Sequence, residues 1–430
     1  MSHPFGESPS MDLEKGSVER EAEGQNCIHF PLDRLLSEPQ TETQSSTIRS
    51  PRPFPVMPLR ILHTADNHIG LSFAKYPDVV RDRLLEERFT ALEGLVQTAN
   101  ERQTHFLVVA GDLFDKQTVT KKLVERAAGV LASFEGEHVL VLAGNHDYFE
   151  GRENKLWNWF QDASEGTNIL ALLETSAKEF ECDDVRVRFY ACPCPSKHGK
   201  KHMIGWVTEE EKEDGVLHIG IAHGNVEGLG LDADQRYFNM NEQELRSAGV
   251  HTWLLGHIHV PAPPPGTTGR PVYFMSGIHT PDSVKCTHPG HAWWIEMSRD
   301  GTCRHERLTT GGVQFLRLQR SLENIDQVQA LQAECEGFDA PNTVLDLQLT
   351  GRLKEDDTRE LNRLCDSWGQ EFLHFTRETD IAPVLDAAAI AMKFPEGTLP
   401  NAWLHSLLAN EDYAEDAHLA LEIIESLNPR

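Results

Sequence analysis

Five short segments of this chain combine residue types that hold divalent metal ions. They read Asp66-Asn67-His68-Ile69-Gly70, Gly111-Asp112-Leu113-Phe114-Asp115, Gly144-Asn145-His146-Asp147, His223-Gly224-Asn225 and Gly256-His257-Ile258-His259. Asp, His and Asn supply hard oxygens and imidazole nitrogens, and no thiolate takes part. That donor set suits Mn²⁺, Fe²⁺ or Zn²⁺ over Cu(I) or an iron–sulfur cluster. Taken singly, each segment is weak, because an Asp-x-His pair at a strand end is usually a turn or a cap and Asn-His-Asp can begin a helix. Five in succession, each after an apolar run, point instead to ligands gathered at one edge of a sheet. Gly111, Gly144 and Gly256 precede ligands and let the backbone turn where a side chain would obstruct it.

Ligands at several strand ends meet only if those strands lie in a common layer. Apolar runs at residues 59–64, 106–110 and 139–143 alternate with amphipathic stretches at 80–102 and 121–134, the β-α-β rhythm of an α/β layer protein. Further strands are expected at 185–190, 216–222, 252–255 and 272–275, then a hairpin over 291–308 turning at Arg299-Asp300-Gly301. From Gly312 a strand, helix, strand, helix, strand order follows over 313–318, 322–335, 344–349, 355–368 and 372–377. The expected division is a disordered extension over 1–57, a metal-bearing domain over 58–311, a small α/β unit over 312–382 and a helical tail over 383–430. The extension is rich in Ser, Glu, Thr, Gln and Pro without a sustained period, and Met57, next to the first strand, is an alternative start.

The 430 residues suffice for two domains, and 39% hydrophobic with 25% charged residues is globular composition. The net charge of −27 makes the chain a poor autonomous grip on nucleic acid. Work on a polynucleotide would rely on a local site, metal ions or a basic partner. The one local basic run is Lys197, His198, Lys200, Lys201 and His202, which could touch phosphates or form a solvated loop. None of the eight cysteines forms a CxxC pair, which excludes zinc-ribbon and thioredoxin-like readings. No apolar run reaches 18 residues and no apolar signal core opens the chain, so no membrane anchor and a cytoplasmic location are expected.

The five segments resemble the signature of calcineurin-like metallophosphoesterases: D-x-H, G-D-x-x-D, G-N-H-D/E, a lone His and G-H-x-H. The match runs from about Arg60 to His259. His63-Thr64-Ala65-Asp66-Asn67-His68-Ile69-Gly70 and Gly111-Asp112-Leu113-Phe114-Asp115 are similar to SbcD-type DNA repair exonucleases, and the C-terminal layout to the YhaO-like branch. The resemblance implies a sandwich of two mixed β-sheets flanked by helices, with the second unit as a cap. It also implies two divalent metals, manganese before iron or zinc. One would be held by Asp66, His68, Asp112 and His259, the other by Asp112, Asn145, His223 and His257. Asp112 would bridge them and His146 would be the catalytic non-ligand. Asp147 would orient His146 or cap the following helix. The sequence departs from the pattern at Asn67, where relatives often carry tryptophan, and in the fourth segment, which is less diagnostic of nucleases. Lys116 after Asp115, and Asp147 where protein phosphatases have Glu, argue against a protein phosphatase.

The expected activity is therefore phosphodiester hydrolysis on DNA, exonucleolytic or endonucleolytic, with an SMC-like ATPase as partner and a homodimer open. A small-molecule phosphodiesterase or phosphatase is the alternative. A non-enzymatic scaffold is disfavoured because every ligand position is filled. Of the other candidates, His63, Trp157 and Trp159 read as packing residues and His279 as a loop residue. Cys286, His288 and His291 lack the fourth partner a zinc site needs. Tyr148 and Phe149 are placed to contact substrate.

Overall fold

The computed structural model describes residues 57–229, 236–410 and 413–427. Apart from Met57, the expected extension lies outside the described residues. Strands β1 (Leu59–Thr64), β2 (Phe106–Val109), β3 (His138–Leu142) and β4 (Ile169–Leu172) run parallel. Helices α1 (Asp78–Glu101), α2 (Lys121–Leu131) and α3 (Lys155–Ser164) connect them. A second sheet follows in the order β5 (Ser176–Cys182), β6 (Val185–Cys192), β7 (Val216–His223), β8 (Thr252–Gly256) and β9 (Tyr273–Met275). Only its β5–β6 pair is antiparallel. The short helix α4 (Glu242–Ser247) lies between β7 and β8. The chain then returns to the first sheet through the hairpin β10 (His291–Met297) and β11 (Cys303–Thr309), giving the order β11-β10-β1-β2-β3-β4.

Strand alternation explains the layering. Ile61, Phe106, Val108 and Leu140 face the second sheet and pack with Val187, Phe189, Leu217, Ile219 and Leu254. Leu62, Leu107, Val109 and Val141 face the other way, against Phe89, Leu92, Val124 and Leu131 of the helices. Strands covered on both faces are apolar throughout, which is why the sequence marks β1 to β3 clearly. The edge strands β4 and β5 are the ones its pattern misses, since β5 exposes Lys178, Glu179 and Glu181. The expected hairpin turn forms, with Asp300 Oδ1 accepting from Thr302 N at 2.9 Å.

The remaining unit contains β12 (Gln314–Leu322), α5 (Ile325–Glu336), β13 (Thr343–Leu353), α6 (Glu355–Glu371) and β14 (His374–Pro383). Its sheet is all parallel, and every strand runs four to six residues beyond its expected end. The helices cover one face through Leu331, Leu345, Leu347, Leu361 and Trp368. The other face is polar, with Arg317 Nε donating to Asp346 at 2.7 Å and Gln319 Nε2 to Gln348 at 2.6 Å. This unit does not pack alone. Val313, Phe315 and Val344 share a core with Phe73 and Tyr76, just before α1, and with Val80 and Leu84 in its first turns. Helices α7 (Ala387–Lys393), α8 (Leu399–Leu408) and α9 (Ala414–Leu427) pack through Leu385, Ile390 and Leu404. Among the described residues no helix is long and apolar enough to cross a membrane.

Candidate metal centre

All five segments lie at carboxyl ends of strands, three in the first sheet after β1, β2 and β3 and two in the second after β7 and β8. The first two loops are laced together: Asp66 N donates to Gly111 O at 3.1 Å, His68 N to Asp112 O at 3.0 Å and Ile69 N to Leu113 O at 2.9 Å. This holds Asp66, His68 and Asp112 at φ of 54°, 44° and 54°, a left-handed conformation that side-chain-bearing residues adopt only when their surroundings over-determine it. Gly144 is required by close approach, because a Cβ there would stand 2.2 Å from Asp112 Oδ1.

The side chains form two adjoining donor groups. Asp66, His68 and His259 place ligand atoms within 4.8 Å of one another, as do Asp112, His223 and His257. Asp112 Oδ2 lies 3.3 Å from His223 Nε2 and 3.9 Å from His68 Nε2, so it faces both groups. Asn145 Oδ1 lies 2.9 Å from both His223 Nε2 and His257 Nδ1, while its buried Nδ2 has no partner among the described residues. The histidines are aimed from behind. His223 Nδ1 hydrogen-bonds Ala110 O at 2.9 Å. His68 Nδ1 faces Asp115 Oδ1 at 3.6 Å and His259 Nδ1 faces Asp282 Oδ2 at 3.5 Å. Each Nε2 is thereby turned inward, the arrangement by which outer groups orient metal-ligating imidazoles. The donors fit two divalent cations.

Burial opposes ionisation of Asp112, yet the imidazoles of His223, His68 and His146 outweigh it and hold its carboxyl well below the usual carboxylate range. Burial also opposes charging of His223, but Asp112 raises that imidazole to about 9. His257 is driven the other way, down to about 3, by burial and then by the His223 charge. The site thus has a fixed anion at its middle and imidazoles of contrasting basicity around it.

His146 stands at the cleft, its ring centroid 4.8 Å from that of His68. Its Nδ1 hydrogen-bonds the Asp115 carbonyl at 2.8 Å, which turns Nε2 away from the backbone. It also groups with His68 and Asp112 within 4.8 Å. Asp147 does not orient it. The Asp147 carboxylate accepts from Phe114 N at 3.0 Å and Gly144 N at 2.7 Å, tying the second loop to the third, and its carbonyl accepts from Trp157 Nε1. It caps no helix either, since Asn154 is the N-cap of α3. Burial and then the Asp112 charge push its carboxyl up to about 7.

Tyr148 and Phe149 do not line the cleft: Phe149 packs against the helix-side core. Leu71, Tyr237 and Asp282 do line it, with the ligand-type residues. His63, His279 and Trp157 are buried. His288 stacks on His291 at 4.8 Å and its Nε2 approaches the His259 carbonyl, so that cluster braces a centre histidine. Asp115 lies within a segment that the sequence marks, but Asp282 and Arg88 belong to no motif. Arg88 is buried in α1, and its Nη1 donates to Asn67 O at 2.7 Å.

Comparison with known proteins agrees with this geometry. Residues 59–261 match the family described as calcineurin-like phosphoesterase. The uncharacterized metallophosphoesterase YhaO of Bacillus subtilis (strain 168) is 26% identical over 217 residues, covering 47% of this chain and 48% of that protein. The chain therefore spans about half the length of this curated relative. Among solved structures, TT1561 of Thermus thermophilus is 8% identical at a TM-score of 0.35, covering 59% of this chain and 99% of that one. A dimetal phosphatase from Danio rerio is 14% identical at a TM-score of 0.36, with the same two shares, 59% and 99%. Superpositions this loose carry no functional weight. With five signature loops converging on one cleft and the family match spanning all of them, residues 59–261 are a calcineurin-like metallophosphoesterase domain.

Proposed function

We propose that this chain is a DNA exonuclease or endonuclease of DNA repair, hydrolysing phosphodiester bonds at a dinuclear metal centre. The observation that carries the reading is the pair of adjoining donor groups that Asp112 faces, with His146 beside them at an open cleft. Asp66, His68, Asp112 and His259 would hold one metal, and Asp112, Asn145, His223 and His257 the other. Manganese is the leading candidate, with iron or zinc as alternatives. When bound, two such ions activate a water and stabilise in-line displacement at phosphorus.

The chain's own residues do the rest. Asp112 supplies an anion common to both positions. Asp115 and Asp282 keep His68 and His259 pointed inward. His146, fixed through Nδ1 on the Asp115 carbonyl, presents Nε2 to the cleft, where a protonated ring can donate to the leaving oxygen. Asp147 has a supporting part, keeping the loops of Asp112 and His146 in register.

DNA is favoured over a small ester by the α/β unit docked beside the cleft: Leu71, which lines it, also packs against the core shared with Phe315 and Val344. An SMC-like ATPase partner and a cytoplasmic location complete the proposal. The test is cleavage of linear double- and single-stranded DNA with Mn²⁺, with bis-p-nitrophenyl phosphate as small-substrate control. Turnover of the small ester alone would favour the small-molecule phosphodiesterase reading.

A further inference from the structure

The basic run around Gly199 is carried by the fold to the rim of the metal cleft. Gly199 forms a parallel bridge with Tyr237. Its N–H donates to Arg236 O at 2.8 Å and its carbonyl accepts from Phe238 N at 2.7 Å. Only glycine allows this approach, since a Cβ would stand 2.2 Å from the Phe238 ring. The receiving segment is itself anchored, with Asn225 N donating to Tyr237 O and Met240 N to Asn225 O, both at 2.8 Å. Tyr237 lines the cleft, and its ring centroid stands 4.9 Å from that of His257. On the loop side the His198 ring is 5.1 Å from Tyr237. A row of rings thus leads from a metal-centre histidine to the basic loop, on which Lys197, Lys200 and Lys201 are exposed.

In a chain of net charge −27, three exposed lysines joined to the mouth of a phosphoesterase centre place positive charge beside the entrance for an anionic substrate. We infer that this strap holds the phosphates of a nucleic-acid strand beyond the scissile one, and so makes the substrate of the centre a polynucleotide. The inference rests on the phosphodiesterase reading above. Because the Tyr237 ring lies between two imidazoles, it serves to place the strap. The contacts are then to backbone phosphates, which position a strand without reading its sequence.

The test uses the full chain with Mn²⁺, a labelled oligonucleotide and bis-p-nitrophenyl phosphate. Replacing all three lysines, K197Q/K200Q/K201Q, should lower the ratio of oligonucleotide to small-ester kcat/KM at least ~10-fold. It should also make the salt dependence of oligonucleotide binding shallower by about two in log–log slope, since each phosphate contact contributes about 0.7–0.9. Gly199→Ala, which displaces the strap but keeps its charges, should lower the ratio in the same direction. If the parent cleaves the oligonucleotide and both variants match it in ratio and slope, the strap is off the substrate path and the inference falls while the nuclease reading stands. A parent that hydrolyses the small ester but neither binds nor cleaves the oligonucleotide overturns both.

Discussion

Asp112 faces His223 at 3.3 Å and His68 at 3.9 Å, so one carboxylate serves both donor groups. Asp112→Asn should lower phosphodiester turnover by about 10²-fold or more, on the scale of losing a key charge-stabilising group. Its thermal midpoint should change little because the site lies at strand ends. Near-parental turnover with Mn²⁺ would remove the dinuclear arrangement. His146→Ala should keep both metals by elemental analysis and lose about 10²–10⁴-fold in kcat, the usual range for a general acid. Loss of one metal would make His146 a ligand, which its grouping with His68 and Asp112 makes a sharp test. Away from the centre, burial pushes the His63 imidazole from 6.5 down to about 3. Its folded pKa lies below the unfolded one, so its contribution to stability is complete above about pH 6.5 and is lost as pH falls toward 3. The loss amounts to about 1.4 kcal/mol for each pH unit in that window. His63→Leu should flatten the fall in urea midpoint between about pH 6.5 and 4.5, and parallel curves for parent and variant would refute it.

At the scale of elements, α1 joins the metal centre to the α/β unit after Gly312. Arg88 reaches one way, to the carbonyl of Asn67 between two ligand-type residues. Its neighbour Glu87 accepts from Gly312 N at 2.5 Å, and Arg83 donates to Asn342 Oδ1 at 3.1 Å. Burial lowers the Arg88 guanidinium to about 10, so it stays cationic at neutral pH. A buried cation with one hydrogen-bonded nitrogen is expensive unless it positions something. Arg88→Met should loosen the Asp66–His68 loop and reduce bound metal from two per chain toward one, read by elemental analysis. Two metals per chain in a folded variant would limit Arg88 to packing.

At the scale of the whole molecule, deleting residues 312–430 should spare hydrolysis of bis-p-nitrophenyl phosphate and sharply reduce DNA cleavage. The centre governs the chemical step, whereas a polymer needs further contacts to bring its scissile phosphate in line. The cut also uncovers Phe73, Tyr76, Val80 and Leu84, so the comparison is made on the soluble monomeric fraction. Equal loss of both activities there would make the unit structural. Over residues 383–430 two basic residues face eight acidic ones, a net of −6, which makes the helical tail a poor seat for DNA. Its exposed Met392, Leu399, Trp403 and Leu427 suit a protein partner better. A chain ending after Pro383, where β14 closes its sheet, should keep unassisted DNA cleavage.

The ligand-type residues, their order and the strands that end in them can all be read along the chain. Local physics sets all three: an apolar run covered on both faces is legible without its neighbours, and a glycine before a ligand marks a turn wherever it folds. The small unit after Gly312 was legible for the same reason, through alternating periods of two and 3.6. Which groups meet is settled by folding alone. Asp282 is 23 residues from His259 in sequence and belongs to no motif, yet it lies 3.5 Å from that imidazole. Asp147 sits beside His146 in the chain but spends its carboxylate on Phe114 and Gly144. Arg88 lies on an amphipathic helix among exposed charges and is nevertheless buried beneath a ligand loop. The basic run near Gly199 could equally have been a solvated loop until a bridge to Tyr237 brought it to the cleft. In each case the partner lies across a loop or sheet edge, and chain separation carries no record of that distance.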